Sequence, residues 1–400
     1  MTQKPKLSIG LIGSGFMGKA HVFGFATAQK VFDLPMQIEL HTVADINDEA
    51  AARAAHEFGF RNETSDWRTM LANPEIDVID ITAPNALHKE MALEAIAAGK
   101  HVYCEKPLAH EVAETRAMVE AAAKSGVVTQ MGNQGASGDG IRLAQEMIDA
   151  GLIGEVYKVD CWTNRPVWPQ GFKRYTESQP IPETFDWNLW LGPAQVRPYN
   201  EGYHPFKWRG FWDFGTGAMG DMGCHIMETP FKTLDLKFPY EAEASCTTVW
   251  VDDFVEADYP AACPPSSVVR LRFKTEKHGD IALNWYDGGI MPDLPAELGD
   301  GEMPGDNAGG SIFYGSDGIM VTNTYSRNPR LLPAERMADF TPPTQTIKRV
   351  TSGHAGEWVD AIINGGTTKG SVVYSANLLD GLFYNPRKCP IVYTSVSKFD

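Results

Sequence analysis

Short apolar runs alternate with helix-compatible stretches along the first third of the chain. The runs cover residues 7–12, 38–44, 78–81, 101–104 and 127–130. Helical patterns follow the first four, reaching residue 25 in the first case and covering 49–58, 88–98 and 112–124 in the others. Strands that alternate with helices of this length predict an α/β fold, in which right-handed crossovers connect a doubly wound parallel sheet.

The pattern changes after residue 131. A helix is predicted at 141–150, and strands, mostly with period-two alternation, at 155–162, 245–251, 267–273, 280–286, 311–314 and 346–350. This part is expected to form an α+β domain with a largely antiparallel open sheet. We therefore divide the chain into a first domain at 1–131 and a second at 132–400. An acidic loop rich in Gly and Pro, 288–310, is expected near the site or at an interface.

Composition narrows the range of partners. The chain has 400 residues, 43% of them apolar, and a formal charge of −16 with no basic block, which disfavours nucleic acid and anionic membranes. It begins without a secretory signal and has no window of transmembrane length, so we expect a cytoplasmic protein. Its six cysteines are widely spaced and form no zinc motif, so we expect free thiols and no metal.

A glycine-rich turn follows the first predicted strand. The segment Gly13-Ser14-Gly15-Phe16-Met17-Gly18 has the spacing of a dinucleotide-binding turn, where the backbone approaches a pyrophosphate at a helix N-terminus. Asp45 ends the second strand, where a carboxylate can bind ribose hydroxyls and repel a 2′-phosphate, so NAD is preferred over NADP. The long spacing before Asp45 is assigned to an extended crossover at 27–35. The alternative is a purely structural turn, with Asp45 capping the helix that begins near residue 48.

Two further strands end in polar residues at the same predicted sheet edge. Thr82-Ala83-Pro84-Asn85 follows one of them, and the alternative to ligand contact is a plain turn with Asn85 capping the next helix. Glu105-Lys106-Pro107 follows the other. A lysine there can stabilise developing negative charge on a reacting oxygen. The alternative is an exposed Glu105–Lys106 salt bridge.

Asp221 and His225 form a candidate acid/base pair. They are four residues apart, ahead of a helix-compatible stretch that Pro230 is expected to limit, and on a helix this spacing puts them on one face. A neutral histidine can take a proton near pH 7, and a nearby carboxylate stabilises its charged form. The alternative is a buried histidine capped by the aspartate.

Six of the ten tryptophans fall between residues 162 and 212, interleaved with polar side chains. Flat apolar faces beside hydrogen-bonding groups suit a carbohydrate, although we expect most of these tryptophans to be core. The candidate substrate contacts in this region are Arg165, Trp168 and His204.

The three motifs together resemble the glucose-fructose oxidoreductase / inositol dehydrogenase / rhizopine-catabolism (Gfo/Idh/MocA) family. The resemblance implies an NAD-binding Rossmann domain, and it implies that Lys106, Asp221 and His225 are catalytic. It further assigns the cofactor contacts Thr82, Pro84, Asn85, His88 and Glu105, and the substrate contact Asn133. Residues up to about 130 look like sugar and anhydrosugar dehydrogenases, whereas 131–193 look more like a large bacterial branch.

These patterns predict an NAD-dependent oxidoreductase acting on a secondary hydroxyl of a sugar, sugar derivative or inositol. Two alternatives stay open. One is an enzyme that oxidises the ring transiently, cleaves or eliminates, and returns the hydride. The other is a non-catalytic sugar- or nucleotide-sensing regulator. We expect a homo-oligomer, a dimer or tetramer, and the segment from residue 384 to the end departs from the helix and strand that usually close this family.

Overall fold

A computed structural model describes residues 4–183, 185–372 and 397–398. They form two compact units, one drawn from Met1–Gly138 and Arg349–Leu379 and the other from Asp139–Lys348 and Asp380–Asp400. Every helix in these ranges is too short or too polar to cross a bilayer. The division into domains at residue 131 stays a prediction. Most of the unusual end after residue 384 lies outside the described residues.

The first unit contains a six-stranded sheet in the order β3-β2-β1-β4-β5-β6, with every neighbouring pair parallel. The strands are β1 Lys6–Ile12, β2 Gln37–Ala44, β3 Asn62–Thr64, β4 Val78–Ile81, β5 His101–Cys104 and β6 Thr129–Met131. This confirms the predicted doubly wound sheet. Strand order reverses between β1 and β4, and ligands of such sheets bind at the carboxyl ends next to this point.

The helices of this sheet are α1 Phe16–Val31, α2 Asp48–Phe58, α3 Arg68–Leu71, α4 His88–Ala97 and α5 Val112–Ser125, with 3-10 turns at Asn85–Leu87 and Gln134–Ser137. The predicted extended crossover at 27–35 is wrong in its first half, because α1 continues to Val31. Its buried side chains Phe25 and Ala28 join the sheet core and keep the chain helical past residue 25. The long separation between Gly18 and Asp45 is therefore due mainly to the length of α1.

The second unit contains an eight-stranded sheet in the order β15-β14-β13-β7-β12-β11-β8-β16. Its neighbours are antiparallel except β7 and β12, which confirms a largely antiparallel sheet. The strands are β7 Val156–Thr163, β8 Glu241–Cys246, β9 Trp250–Asp252, β10 Val255–Glu256, β11 Ser267–Thr275, β12 Gly279–Tyr286, β13 Gly309–Gly315, β14 Gly318–Asn323, β15 Arg330–Leu332 and β16 Ser397–Lys398, with β9 and β10 forming a separate hairpin.

Three local predictions for this unit are wrong. The predicted strand at 245–251 is split between β8 and β9, which belong to different sheets. The predicted strand at 346–350 is a loop, because the backbone N–H groups of Thr346 and Ile347 donate to Oε1 of Glu146 at 2.8 and 3.0 Å instead of to a neighbouring strand. Pro230, expected to limit the helical stretch, instead lies in the first turn of a helix that continues to Thr233, because an N–H in the first turn has no intrahelical partner to lose.

The helices of the second unit are α6 Asp139–Asp149, α7 Trp187–Leu191, α8 Gly217–Ile226 and α9 Glu228–Thr233, with 3-10 turns at Lys207–Gly210 and Ala334–Met337. An aromatic cluster packs around α7, and it contains Trp187, Trp190, Tyr199, Tyr203, Phe211 and Phe214. Of the six tryptophans between 162 and 212, Trp162, Trp168 and Trp187 are buried and Trp190 packs in the aromatic cluster, so most of them belong to the core, as expected.

The last described helix, α10 Gly353–Asn364, belongs to the first unit. Its Trp358 is fully buried, with ring centroids 6.3 Å from Phe25 of α1 and 5.3 Å from Tyr103 of β5. A segment more than 200 residues away in sequence thus completes the core of the six-stranded parallel sheet.

Replacing Trp358 with alanine is expected to lower the free energy of unfolding by roughly 3–5 kcal/mol, because a large aromatic side chain leaves a cavity in this core. The matched control is Trp250→Ala, since Trp250 is 57% exposed on a hairpin; it should stay within about 0.5 kcal/mol of the unsubstituted protein. Urea unfolding followed by circular dichroism measures both. Equal losses in the two variants would contradict the assignment of α10 to this core.

Candidate active site

The glycine turn between β1 and α1 is closed on one side and open on the other. Gly13 has a φ of +96°, and its N–H donates to the Ala44 carbonyl at 2.9 Å. A Cβ at Gly18 would lie 2.3 Å from the Gly13 oxygen, so only glycine lets the helix approach the turn this closely. A Cβ at Gly15 would meet no described atom within 4 Å. The open side is where a dinucleotide-binding turn receives the pyrophosphate.

The two residues between these glycines begin α1. Phe16 is 84% exposed and Met17 is half-buried. Both therefore lie at the helix N-terminus, whose backbone N–H groups favour an anion.

Asp45 follows β2 and is bound to this turn. Its Oδ2 accepts from the Ser14 N–H at 2.9 Å and from the Ser14 hydroxyl, and its Oδ1 accepts from the Ile46 N–H at 2.7 Å. Asn47 is the N-cap of α2, accepting from the Ala50 N–H at 2.8 Å. The alternative in which Asp45 caps this helix is therefore wrong. The carboxylate faces the glycine turn, as a ribose-binding group should.

Thr82, at the end of β4, braces the same turn. Its hydroxyl contacts the carbonyls of Ile12 and Gly13 at 3.1 and 2.7 Å. Pro84 and Asn85 lead into the 3-10 turn, and the N-cap of α4 is Leu87, so the alternative in which Asn85 caps α4 is wrong.

His88 is 1% exposed, and its two ring nitrogens lie 2.9 Å from the Pro107 carbonyl and 2.8 Å from the Ala83 carbonyl. Burial lowers the pKa of His88. In the structure this side chain holds two loops in place, and its contact with the cofactor stays a prediction.

Glu105 follows β5 and is buried, so the alternative of an exposed Glu105–Lys106 salt bridge is wrong. Its Oε1 lies 2.8 Å from Nε2 of His21, and its Oε2 accepts from the Lys106 N–H at 3.2 Å. Lys106 is half-buried and precedes a cis peptide bond to Pro107. His21 was not predicted as a site residue, although it stands in α1 three residues after Gly18.

Asp221 and His225 both lie on α8 of the second unit, where their four-residue spacing puts them on one face. Oδ1 of Asp221 accepts from Nε of Arg209 at 2.8 Å, and the Arg209 guanidinium lies 4.4 Å from the ring centroid of Trp208. His225 is 6% exposed, with its ring 5.3 Å from that of Tyr325. This burial fits both a poised base and a structural histidine, so its role is a proposal.

Arg209 was not predicted as a site residue. It lies among the tryptophans already noted in the sequence, and the rings of Trp168 and Phe206 also lie within 5.8 and 5.0 Å of its guanidinium. Its ion pair fixes the Asp221 carboxylate on the face of α8 that also carries His225.

The predicted substrate contacts have different surroundings. Asn133, in the first unit, is fully buried and its N–H donates to the Met131 carbonyl at 2.7 Å. Trp168 is 4% exposed and donates to Gln170 at 2.9 Å. His204 stacks on Phe185 at 4.4 Å, and burial lowers its pKa. Arg165 donates to Asn164 at 2.5 Å and is half-buried. Contact with a substrate stays a prediction for all four.

Two family models match the chain. Residues 7–133 match an oxidoreductase family with an NAD-binding Rossmann fold, and residues 140–251 match the C-terminal alpha/beta domain of the same oxidoreductase family. Together they cover more than half of the chain, so the protein belongs to the Gfo/Idh/MocA oxidoreductase family. The glycine turn, Asp45 and Thr82 all fall within the first match, and Asp221 and His225 within the second.

Curated relatives match in part. The chain is 35% identical over 224 residues to a levoglucosan dehydrogenase of Pseudarthrobacter phenanthrenivorans, covering 56% of this chain and 50% of that protein. It is 32% identical over 169 residues to an inositol 2-dehydrogenase of Pseudomonas savastanoi, covering 42% and 48%. The matched region thus spans about half the length of these relatives.

Solved structures match over nearly the full length. A levoglucosan dehydrogenase in complex with NADH superposes with a TM-score of 0.64, covering 93% of this chain and 94% of that chain at 24% identity. At this identity the likeness establishes the fold.

Gly15→Ala is expected to weaken NADH binding at least about tenfold, because the added methyl group occupies the open side of the turn. Stability should not fall, since Gly15 has a φ of −66° and a Cβ there has no described neighbour within 4 Å. Gly24→Ala is the matched control, because Gly24 also has open space and lies further along α1. Calorimetric titration with NADH measures both variants. Unchanged NADH affinity in the Gly15→Ala variant would show that the glycine turn does not contact the cofactor.

Proposed function

We propose that this protein is an NAD-dependent oxidoreductase that oxidises a secondary hydroxyl of a sugar, a sugar derivative or an inositol. One observation carries the proposal. The glycine turn after β1 and Lys106 after β5 lie at the same carboxyl edge, with only β4 between their strands. Two strand spacings are about 10 Å, which is short enough for one extended dinucleotide to reach from the turn to the lysine.

Each proposed catalytic residue has a distinct role. His225 takes the proton of the substrate hydroxyl, because a neutral imidazole is the best base near pH 7. Asp221, held by Arg209, orients His225 or the substrate. Lys106 stabilises the alkoxide as its negative charge develops. Bound NAD supplies the hydride acceptor.

The proposed cofactor contacts surround the glycine turn and the neighbouring strand ends: Gly13, Gly15, Phe16, Met17, Gly18, Asp45, Thr82, Pro84, Asn85, His88 and Glu105. Contacts within the first unit support a direct role for the turn and Asp45. They support an indirect role for His88 and Glu105, which are buried and hold the loops that carry the others.

The substrate class rests on the relatives and on the second unit. The named relatives are a levoglucosan dehydrogenase and inositol 2-dehydrogenases, whose substrates carry ring hydroxyls. The half-buried rings Trp190, Trp208 and Trp212 offer apolar faces beside polar groups. We assign substrate contacts to Lys106, Asn133, Arg165, Trp168, His204, Asp221 and His225. Further proposals are domains at 1–131 and 132–400, a cytoplasmic location and a homo-oligomer.

Lys106→Ala and His225→Ala are each expected to lower kcat at least about 100-fold, the scale of a lost oxyanion-stabilising or proton-transfer group, with NADH affinity little changed. Lys124→Ala and His56→Ala are the controls, because both residues are exposed on helices of the first unit. Steady-state kinetics and NADH titration measure the four variants. Near-normal turnover of either site variant would return that residue to a structural role.

A panel of inositols, free sugars and glycosides tests the reaction itself. With excess NAD, one member should yield reduced nicotinamide in proportion to product, and kcat/KM should be higher with NAD than with NADP because Asp45 repels a 2′-phosphate. Equal or better kinetics with NADP would overturn the cofactor assignment. Glycoside cleavage without accumulated NADH would favour the hydride-returning alternative. Binding of NADH and sugar with no conversion of any member would favour the regulator.

A further inference from the structure

His21 of α1 lies between two carboxylates. Its Nδ1 is 2.9 and 3.0 Å from the two oxygens of Asp80 on β4, and its Nε2 is 2.8 Å from Oε1 of Glu105 after β5. The side chains are 8%, 0% and 8% exposed, respectively. Three ionisable groups therefore share one nearly dry site under the carboxyl edge of the sheet.

With both carboxylates ionised, the arrangement requires two protons on the imidazole. A neutral ring carries one N–H and would turn a lone pair toward the second carboxylate at hydrogen-bond distance. An imidazolium donates to both carboxylates, and each donation is a charge-assisted hydrogen bond. Burial opposes the charge, but Asp80 and Glu105 outweigh it and raise the pKa of His21 to about 10. Burial raises the pKa of Asp80, and the contact with His21 opposes that rise.

Glu105 connects His21 to the backbone of Lys106. Oε1 of Glu105 accepts a hydrogen bond from the His21 ring, and Oε2 accepts one from the Lys106 N–H at 3.2 Å. Gly132 packs against the same carboxylate, since a Cβ there would lie 2.0 Å from Oε1 of Glu105. The carboxylate therefore contacts both the imidazolium and the Gly132 backbone.

The far side of the lysine is held as well. The Pro107 carbonyl lies 2.9 Å from Nδ1 of His88, whose other nitrogen is bound to Ala83 after β4. Lys106 thus stands between two anchored residues, one fixed by His21 and the other by His88. Only His21 is in turn tied to a buried carboxylate on a second strand.

We propose that His21, as an imidazolium bridging Asp80 and Glu105, is a positioning residue for Lys106. It locks the Glu105 carboxylate, which fixes the Lys106 peptide and so aims the side chain at the carboxyl edge. The inference rests on the proposed function insofar as Lys106 acts on the reacting oxygen. The network itself stands on contacts within the first unit.

The groups that face His21 determine its pH response. Besides the two carboxylates, Tyr103 of β5 packs edge-on at 4.7 Å, and His354 of α10 lies behind that ring at 5.7 Å. Burial raises the pKa of Tyr103 well above its usual value, so the phenol stays neutral. Since the folded pKa of His21 is raised from 6.5 to about 10, its stabilisation is complete below pH 6.5 and is lost as pH rises to about 10.

The first test compares His21→Gln with His56→Gln, a matched change at an exposed histidine of α2. We expect His21→Gln to speed amide hydrogen exchange at Lys106 at least about tenfold and to lower kcat about 10- to 100-fold, with KM and NADH affinity within about threefold. His56→Gln should change none of these. Unchanged Lys106 exchange in a folded His21→Gln protein would overturn the proposal, whatever the enzyme's substrate.

The second variant, Asp80→Asn, keeps the histidine and removes one anion. The pKa of His21 should fall in this variant. Between about pH 7 and 9, where His21 of the unsubstituted protein stays charged, the Lys106 amide of the variant should exchange increasingly fast with pH. This increase should exceed the intrinsic pH dependence of amide exchange. Nitrogen-15 NMR of the imidazole should report a doubly protonated His21 at about pH 8.5 in the unsubstituted protein only. A neutral ring in the unsubstituted protein would contradict the proposal. Both NMR changes with unchanged activity would leave the network intact and count against the proposed function of Lys106 alone.

Discussion

The buried bridge from Asp80 through His21 to Glu105 is the interaction on which the first unit's functional edge depends. It joins α1, β4 and β5, the elements on either side of the point where strand order reverses. Removing one partner would leave a charge in a site with almost no water, which costs far more than the loss of a surface ion pair. The bridge therefore ties α1 to β4 and to the residue that follows β5.

The constraint supports the proposal that the glycine turn and Lys106 belong to one site. Thr82 holds the turn from one side, Asp45 holds it from the other, and Glu105 holds the lysine peptide. Each contact comes from a residue that directly follows a strand. A parallel sheet thus supplies several short polar loops at one edge, and buried side chains fix the loops so that a ligand can bind without ordering them first.

Sequence patterns predicted most of the first unit, because alternating strands and helices with glycine caps are local signals. Val78–Ile81 and His101–Cys104 begin and end as predicted. Contacts between residues distant in sequence were not predictable. Trp358 packs against Tyr103 in the core of the first unit. The loop at 346–350 donates a backbone N–H to Glu146. For the same reason the motifs identified Lys106, Asp221 and His225, but not their supports. His21 and Arg209 depend on partners that only the fold brings near, and residue-level roles remain proposals.

The central claim is that a hydride leaves a ring carbon of a polyol or sugar and remains on released NADH. The most direct measurement uses a substrate turned over in the panel, labelled with deuterium at its carbinol carbons, and mass spectrometry of the reduced cofactor. Our account predicts one deuterium on each released NADH, with none left on the oxidised carbon. Product that keeps its deuterium at that carbon, with unlabelled or unreduced cofactor, would contradict it.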